Sequence, residues 1–294
     1  MPVYDYTYHT WKGVRRGPLF RWAAIPKFAY MEFLRKRFFV WLLTLGCFQF
    51  ILRLAYIYLL VNQEFLKLLR IPAGSIPPIN AFFFKNMIDL QLIFCFLLAF
   101  QLGAGLISRD LQHNATVLYM SKPISKWEYF LGKFATLFCP IMFLTWFQAA
   151  LLFGIQTVVA PEHSEWHLYF WSRYAWIFPA LTAYSAVVSA TLCLIILAAS
   201  SLTKNPRYAA TSLAVYIIGS GIVARIVSDM LKSDRFFALS PFMSGVDLGY
   251  YLFGMGERAE IPSQAVAWIG LAGVCLLSAV ILRLRLDSAA RFGR

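Results

Sequence analysis

The chain has 294 residues, of which 60% are hydrophobic, 17% aromatic and only 14% charged, with a formal net charge of +13. Soluble domains carry about 25% charged residues, and a soluble chain this apolar would expose large patches and aggregate. Composition therefore excludes an ordinary soluble domain and predicts an all-α integral membrane protein. The charge excess does not point to nucleic acid, because it is confined to segments that flank predicted membrane spans.

Residues 1–37 form a basic cytoplasmic leader. Pro26 can open a helix there, followed by Phe28, Met31, Phe33 and Leu34 mixed with Lys27, Glu32, Arg35, Lys36 and Arg37. Aromatic and basic residues on one short helix suit a membrane surface, and the plainer alternative is a basic flank that orients the first span. The first apolar run begins near Phe38 and is too long for the core of a cleavable signal, so none is expected.

A spanning helix needs about 20 predominantly apolar residues. Six runs qualify, at 38–61, 85–107, 134–159, 174–202, 208–230 and 264–283, and together they make residues 38–283 a six-span transmembrane domain. Residues 62–84, with Pro72, Pro77 and Pro78, read as an irregular outer loop. The third and fourth runs hold internal prolines, Pro140 and Pro179, which predict helix curvature. His163 and His167, beside Glu162 and Glu165, have the spacing of a helical metal pair, but a solvated outer loop is the simpler account. Residues 239–254 are apolar and punctuated by glycine yet too short to cross, which predicts a re-entrant or interfacial segment. Residues 284–294 form a basic tail. Cys47, Cys95, Cys139, Cys193 and Cys275 each fall singly in an apolar run and read as buried small apolar residues.

With both termini cytoplasmic, the inner segments carry the entire +13 excess, and the outer segments and the spans balance. That asymmetry orients the chain in the cell (inner) membrane and accounts for the charge through anionic lipid. Four charges fall within spans and need partners. Arg225 and Asp229 stand four apart and are expected to pair on one helix; Arg53 and Asp89, at similar depth in adjacent spans, are expected to pair across them as structural or pathway groups. Gln91, Gln101 and Gln148 are candidate pathway or intramembrane polar residues, with interhelical hydrogen bonding as the alternative.

No G-x-x-x-x-G-K-[ST] is present, so ATP is not expected to bind through a P-loop in this chain, and H-E-x-x-H is absent too. Gly103 and Gly105 follow a helix, not a strand, and suit helix packing better than a dinucleotide. The most informative stretch is 103–133, a polar segment between two long apolar runs. It carries Arg109 and Asp110, a helix-compatible run to Tyr119, then Ser-Lys-Pro, and a second amphipathic start at Ser125. This predicts a structured hairpin standing off the membrane, shaped to be touched from the aqueous phase.

The same residues carry a family resemblance. Asp110 is followed by Ser121, Lys122, Pro123, Ile124, Ser125 and Lys126, then Trp127, Tyr129, Leu131, Gly132 and Lys133 before the third span. This resembles type-2 ABC exporter permeases, which place an acidic residue after the second span and a small–basic–Pro–apolar–small–basic run ahead of the third. Where the commoner pattern has Gly-Thr four and five residues after the acid, this chain has Asn114 and Ala115, with Thr116 one place late.

The resemblance implies a six-helix bundle with an N-terminal in-plane elbow helix, a cytoplasmic coupling hairpin and re-entrant helices capping the outer end. It implies that Arg109, Asp110, Leu111, Asn114, Ala115, Thr116 and Pro123 contact a separate ABC ATPase subunit, which would hold the ATP and Mg. It also implies a homodimer or a heterodimer with a similar permease, and no cofactor or bond chemistry in this chain. The alternatives are a membrane enzyme acting on lipid or an isoprenoid carrier, and a permease-like scaffold subunit. Nothing in the spans selects a substrate.

Overall fold

The computed structural model describes residues 21–62, 77–115, 125–161 and 164–291. The helices are α1 (Ala24–Phe33), α2 (Arg37–Val61), α3 (Ala81–Gln112), α4 (Lys126–Val159), α5 (Ile177–Leu202), α6 (Pro206–Leu231), α7 (Pro241–Leu252) and α8 (Gln264–Arg291). A short helical turn (Glu165–Leu168) and a π turn (Phe170–Tyr174) lead into α5, and a 3-10 segment (Asp234–Leu239) leads into α7. Among the described residues there is no strand, and six helices (α2 to α6 and α8) are long and apolar enough to cross a membrane. The chain is thus an all-helical, multi-pass membrane protein, as its six apolar runs predict.

Several helix ends lie outside the apolar runs, and local chemistry explains where. α3 starts at Ala81 because the side chain of Asn80 accepts the N–H of Phe83, and it continues to Gln112, beyond the apolar run. α4 starts at Lys126 because Ser125 and Glu128 form a reciprocal capping box, so the amphipathic start predicted at Ser125 is where the helix begins. α3 and α4 therefore overshoot the apolar runs at the same end of the bundle. α6 opens on Pro206, with Asn205 accepting the N–H of Arg207.

Pro140 lies inside α4, and a π turn follows at Phe143–Phe147, so the backbone is rewound where proline removes a donor. Pro179 differs from its expected role in bending the fourth span. It sits in the first turn of α5, where a backbone N–H has no intrahelical acceptor and its loss costs nothing.

α5 is the central helix, packed against α3, α4, α6, α7 and α8. α3, α4 and α5 bury a far larger share of their surface than α2, α6 and α8, which ring the bundle with side chains suited to lipid. One apolar cluster joins Leu98, Leu102 and Leu106 to Leu137, Ile141 and Ile196; a second joins Phe84, Met87 and Ile88 to Leu152, Leu181 and Tyr184. α1 packs on α4 at Gly132, where an added Cβ would lie 2.7 Å from Ile25 Cδ1, and the Tyr30 hydroxyl donates to Ala135 O at 2.9 Å. Its other face leaves Phe28, Met31 and Leu34 exposed. Cys95 and Cys193 are buried as expected; Cys139 is not, because it points outward from α4.

Two ends can be named from charge. The basic end holds α1, the end of α3 and the start of α4; the far end holds the start of α3 and the whole of α7.

Candidate functional sites at the two ends of the bundle

At the basic end, the last two turns of α3 are bolted to their neighbours. Ser200 Oγ of α5 accepts the N–H groups of Ile107 (3.1 Å) and Ser108 (3.0 Å) and donates to Ala104 O (2.8 Å). This hydroxyl sits just past a π turn at Ala99–Gly103, where the helical ladder changes register. Two residues further on, Asp110 turns inward against α4. Its Oδ2 accepts Lys133 Nζ and Tyr129 Oη, both at 2.7 Å, and the Lys133 and Asp110 side chains are only 8% and 15% exposed. Tyr129 is buried and stands four residues before Lys133, so both reach Asp110 from one face of α4.

The neighbouring residues point the other way. Arg109 is exposed, folds back over Gly105 and lies 3.8 Å from Glu32 of α1. Glu32 is bonded to Lys36 at 2.7 Å, and that bond holds its carboxyl below the usual carboxylate range. Gln112, His113 and Asn114 are exposed at the tip, and Leu111 and Ala115 are half-buried. Asn114 ends the helix with φ at 53°, a left-handed conformation that asparagine and glycine adopt with least strain. Thr116 and Pro123, with the rest of the Ser121–Ile124 run, lie outside the described residues. The coupling-hairpin set thus divides: Asp110 works inside the fold, and Arg109 and Asn114 face out.

At the far end, the predicted Arg53–Asp89 pair is replaced by other partners. Arg53 Nη2 donates to Asn86 Oδ1 at 2.5 Å, and its guanidinium lies over the ring of Phe83. Asp89 is taken by Lys85, one turn earlier on the same helix, at 2.6 Å, and by the Tyr184 hydroxyl of α5, also at 2.6 Å. Lys85 is 0% exposed, and its Nζ lies 3.3 Å from the ring centroid of Tyr250 on α7. Gly249 permits that approach, since an added Cβ would lie 2.7 Å from Tyr184 Cζ and 3.1 Å from Lys85 Cε. The reason for the changed pairing is the start of α3. Capping at Asn80 draws Lys85 into the helix and under α7, so the acid has a local partner and Arg53 does not reach it.

The predicted short segment at 239–254 is the 12-residue α7, and it is stapled to the connection that leads on to α8. Asp247 Oδ2 accepts the N–H of Ile261 at 2.8 Å, and the Tyr251 hydroxyl donates to the carbonyl of the same residue at 2.6 Å. Burial pushes the Asp247 carboxyl above its ordinary value. Gly254, with φ at 68°, turns the chain out of the helix.

Between the ends, Gln91 and Gln148 meet. Gln91 Nε2 donates to Gln148 Oε1 (2.6 Å) and to Gly46 O (2.9 Å), tying α2, α3 and α4 together, and both side chains are buried. They make the interhelical hydrogen bonds the sequence allowed as an alternative. Gln101 is exposed within the π turn of α3. Arg225 and Asp229 form no ion pair among the described residues. His163 and Glu162 lie outside the described residues, and among the described residues no three His, Cys, Asp or Glu side chains group as metal ligands.

The sequence gives no site role to Lys85, Tyr184, Ser200 and Tyr250, and it offers Tyr129 and Lys133 only as part of the family resemblance. Only the Lys85–Asp89 spacing was a local signal; the others depend on which faces meet. No family model matches the chain, and no curated protein matches it.

Proposed function

We propose that this chain is the membrane-spanning subunit of an ABC-2-type exporter, moving a substrate across the cell membrane while a separate subunit hydrolyses ATP. The observation that carries this reading is the basic-end stem. α3 and α4 both run past their apolar segments, and Asp110 and Ser200 pin the end of α3 to α4 and α5, leaving Arg109, Gln112, His113 and Asn114 outward. A tip carried on a braced stem is suited to transmit a push from an aqueous partner. The resemblance of 110–133 to type-2 permeases supports an ATPase as that partner. Asn114 supports it further: where the commoner pattern has glycine, this chain has the other residue that tolerates a positive φ.

In this mechanism ATP and Mg act in the partner, and this chain performs no bond chemistry. Closure of the ATPase pair displaces the hairpin tip. α3 carries the displacement through the bundle to its far end, where Lys85 and Gly249 place it against α7. α7 acts as a lid over a pathway formed between two permease copies, and α1 acts as the elbow helix at the inner surface. Both termini are cytoplasmic.

The test is purification of the tagged chain from its native membranes in mild detergent. Two copies with two P-loop ATPase subunits, and transport coupled to hydrolysis, are expected. A stable, active monomer without an ATPase would overturn the reading. In a background without native cysteines, Ser164→Cys and Ser288→Cys should label from opposite faces of the membrane.

A further inference from the structure

An apolar groove of about 560 Å³ opens on the side of the bundle between α3, α5, α6 and the start of α7. Its volume lies within the range of ligand sites, roughly 300–1,000 Å³. Ile93, Ile218 and Ile222 stand exposed along its walls, on helices long and apolar enough to cross a bilayer, and Phe242 of the short α7 stands exposed beside them. One charged residue lines it, Arg225. No acid pairs with Arg225 among the described residues, and Asp229, one turn on, does not.

The position of that charge is informative. Arg225 lies six residues before Leu231, the end of α6, or about 9 Å along the axis at 1.5 Å per residue. It is therefore within reach of the headgroup level at the far end, given the length of an arginine side chain. The Ser240–Met243 turn that opens α7 borders the same mouth, and its helix dipole adds partial positive charge. Below Arg225 the walls are apolar down to Ile217 and Leu192, near the middle of their helices, except for Thr191, whose hydroxyl donates to Val187 O of its own helix. A cation at headgroup depth above an apolar slot matches an amphiphile with an anionic head. A second copy of this chain would present the same walls, whose one charge is again the cation.

We propose that this groove holds one anionic phospholipid of the far-end leaflet, its phosphate against Arg225 and an acyl chain descending toward Ile217 and Leu192. The site is separate from the ATPase-facing hairpin, and its test needs no ATPase, so the two readings fail independently.

The experiment is native mass spectrometry of the full chain in mild detergent, supplied with equal amounts of phosphatidylglycerol and phosphatidylcholine with identical chains. Wild-type protein should retain one phosphatidylglycerol with a preference of about fivefold, the worth of one cation at an anionic lipid surface. Arg225→Gln should remove the preference. Lys232→Gln, which removes an exposed cation outside the groove, should leave it intact. Ile222→Trp should fill the slot and lower retention of both lipids. If Ile222→Trp does not fold, the exposed Arg225→Gln change carries the test alone. An unchanged preference in Arg225→Gln would overturn the proposal. So would an equal loss in Lys232→Gln, or a wild-type dimer that excludes both lipids.

Discussion

Asp89 and Asp110 lie toward opposite ends of α3, and each is held by one lysine ammonium and one tyrosine hydroxyl. The likeness ends with the geometry. At the far end the lysine is local: Lys85 precedes Asp89 by one turn and is sealed beneath Tyr250, while Tyr184 comes from α5. At the basic end both partners come from α4, and both contact the same carboxylate oxygen. The far-end cluster therefore joins α3 to α5 and α7 around a lysine that is fully enclosed, while its partner Asp89 keeps 23% of its side chain exposed. The basic-end cluster staples α3 to α4 close to the aqueous surface. A buried ion pair contributes less by existing than its disruption costs, because removing one partner strands the other. The same three kinds of group should thus respond very differently to mutation at the two ends.

The largest effect should come from Lys85→Met, which leaves Asp89 with Tyr184 alone. We expect a loss of about 3 kcal/mol or more, read as a fall in the thermal unfolding midpoint of the detergent-solubilised protein. Adding Asp89→Leu should recover most of it. A double variant that is merely the sum of the singles would show that the far-end pair is not a sealed unit. Gly249→Ala should come next, at about 1–3 kcal/mol, because the new methyl meets Tyr184 and Lys85 and forces α7 away. Limited proteolysis of the Gly254–Ile261 connection should rise with it.

Lys133→Met should cost less than Lys85→Met, about 1–2 kcal/mol, because Lys85 is wholly enclosed with its Nζ 3.3 Å from the Tyr250 ring, a contact that is lost together with the ion pair. A larger loss at Lys133 than at Lys85 would reverse the comparison. The smallest effect is at the tip. Asn114→Ala should cost about 1 kcal/mol through its left-handed backbone, and Asn114→Gly should cost nothing. Equal stability of these two variants would remove the conformational reason for asparagine there.

The six spans were legible because apolar length is a property of contiguous residues, and so was the start of α4, because a capping box is local. The start of α3 was within reach as well: Asn80 is a capping residue, but the apolar run begins only at Lys85, which leaves the lysine at the edge of the span instead of inside the helix. That one boundary moved Asp89 to the wrong partner. The contacts of Tyr129, Lys133 and Ser200 with α3 were not legible, since a π turn at Ala99–Gly103 resets which face of α3 meets α4 and α5. A hydrophobic pattern carries no signal for such a turn. Asp110 stands out in the sequence as the acid that follows the second span, and in the fold its carboxylate is directed inward.

The proposed coupling depends on one division of roles: Asp110 braces the stem while Arg109 presents it. The direct measurement is ATPase recovery with the purified chain, compared between Asp110→Asn and Arg109→Glu at matched folded protein. Asp110→Asn should lower the unfolding midpoint yet retain ATPase at wild-type stoichiometry. Arg109→Glu should keep the midpoint and reduce recovery about tenfold, as reversing a charge at a contact does. Loss of the ATPase in Asp110→Asn with full recovery in Arg109→Glu would contradict that division.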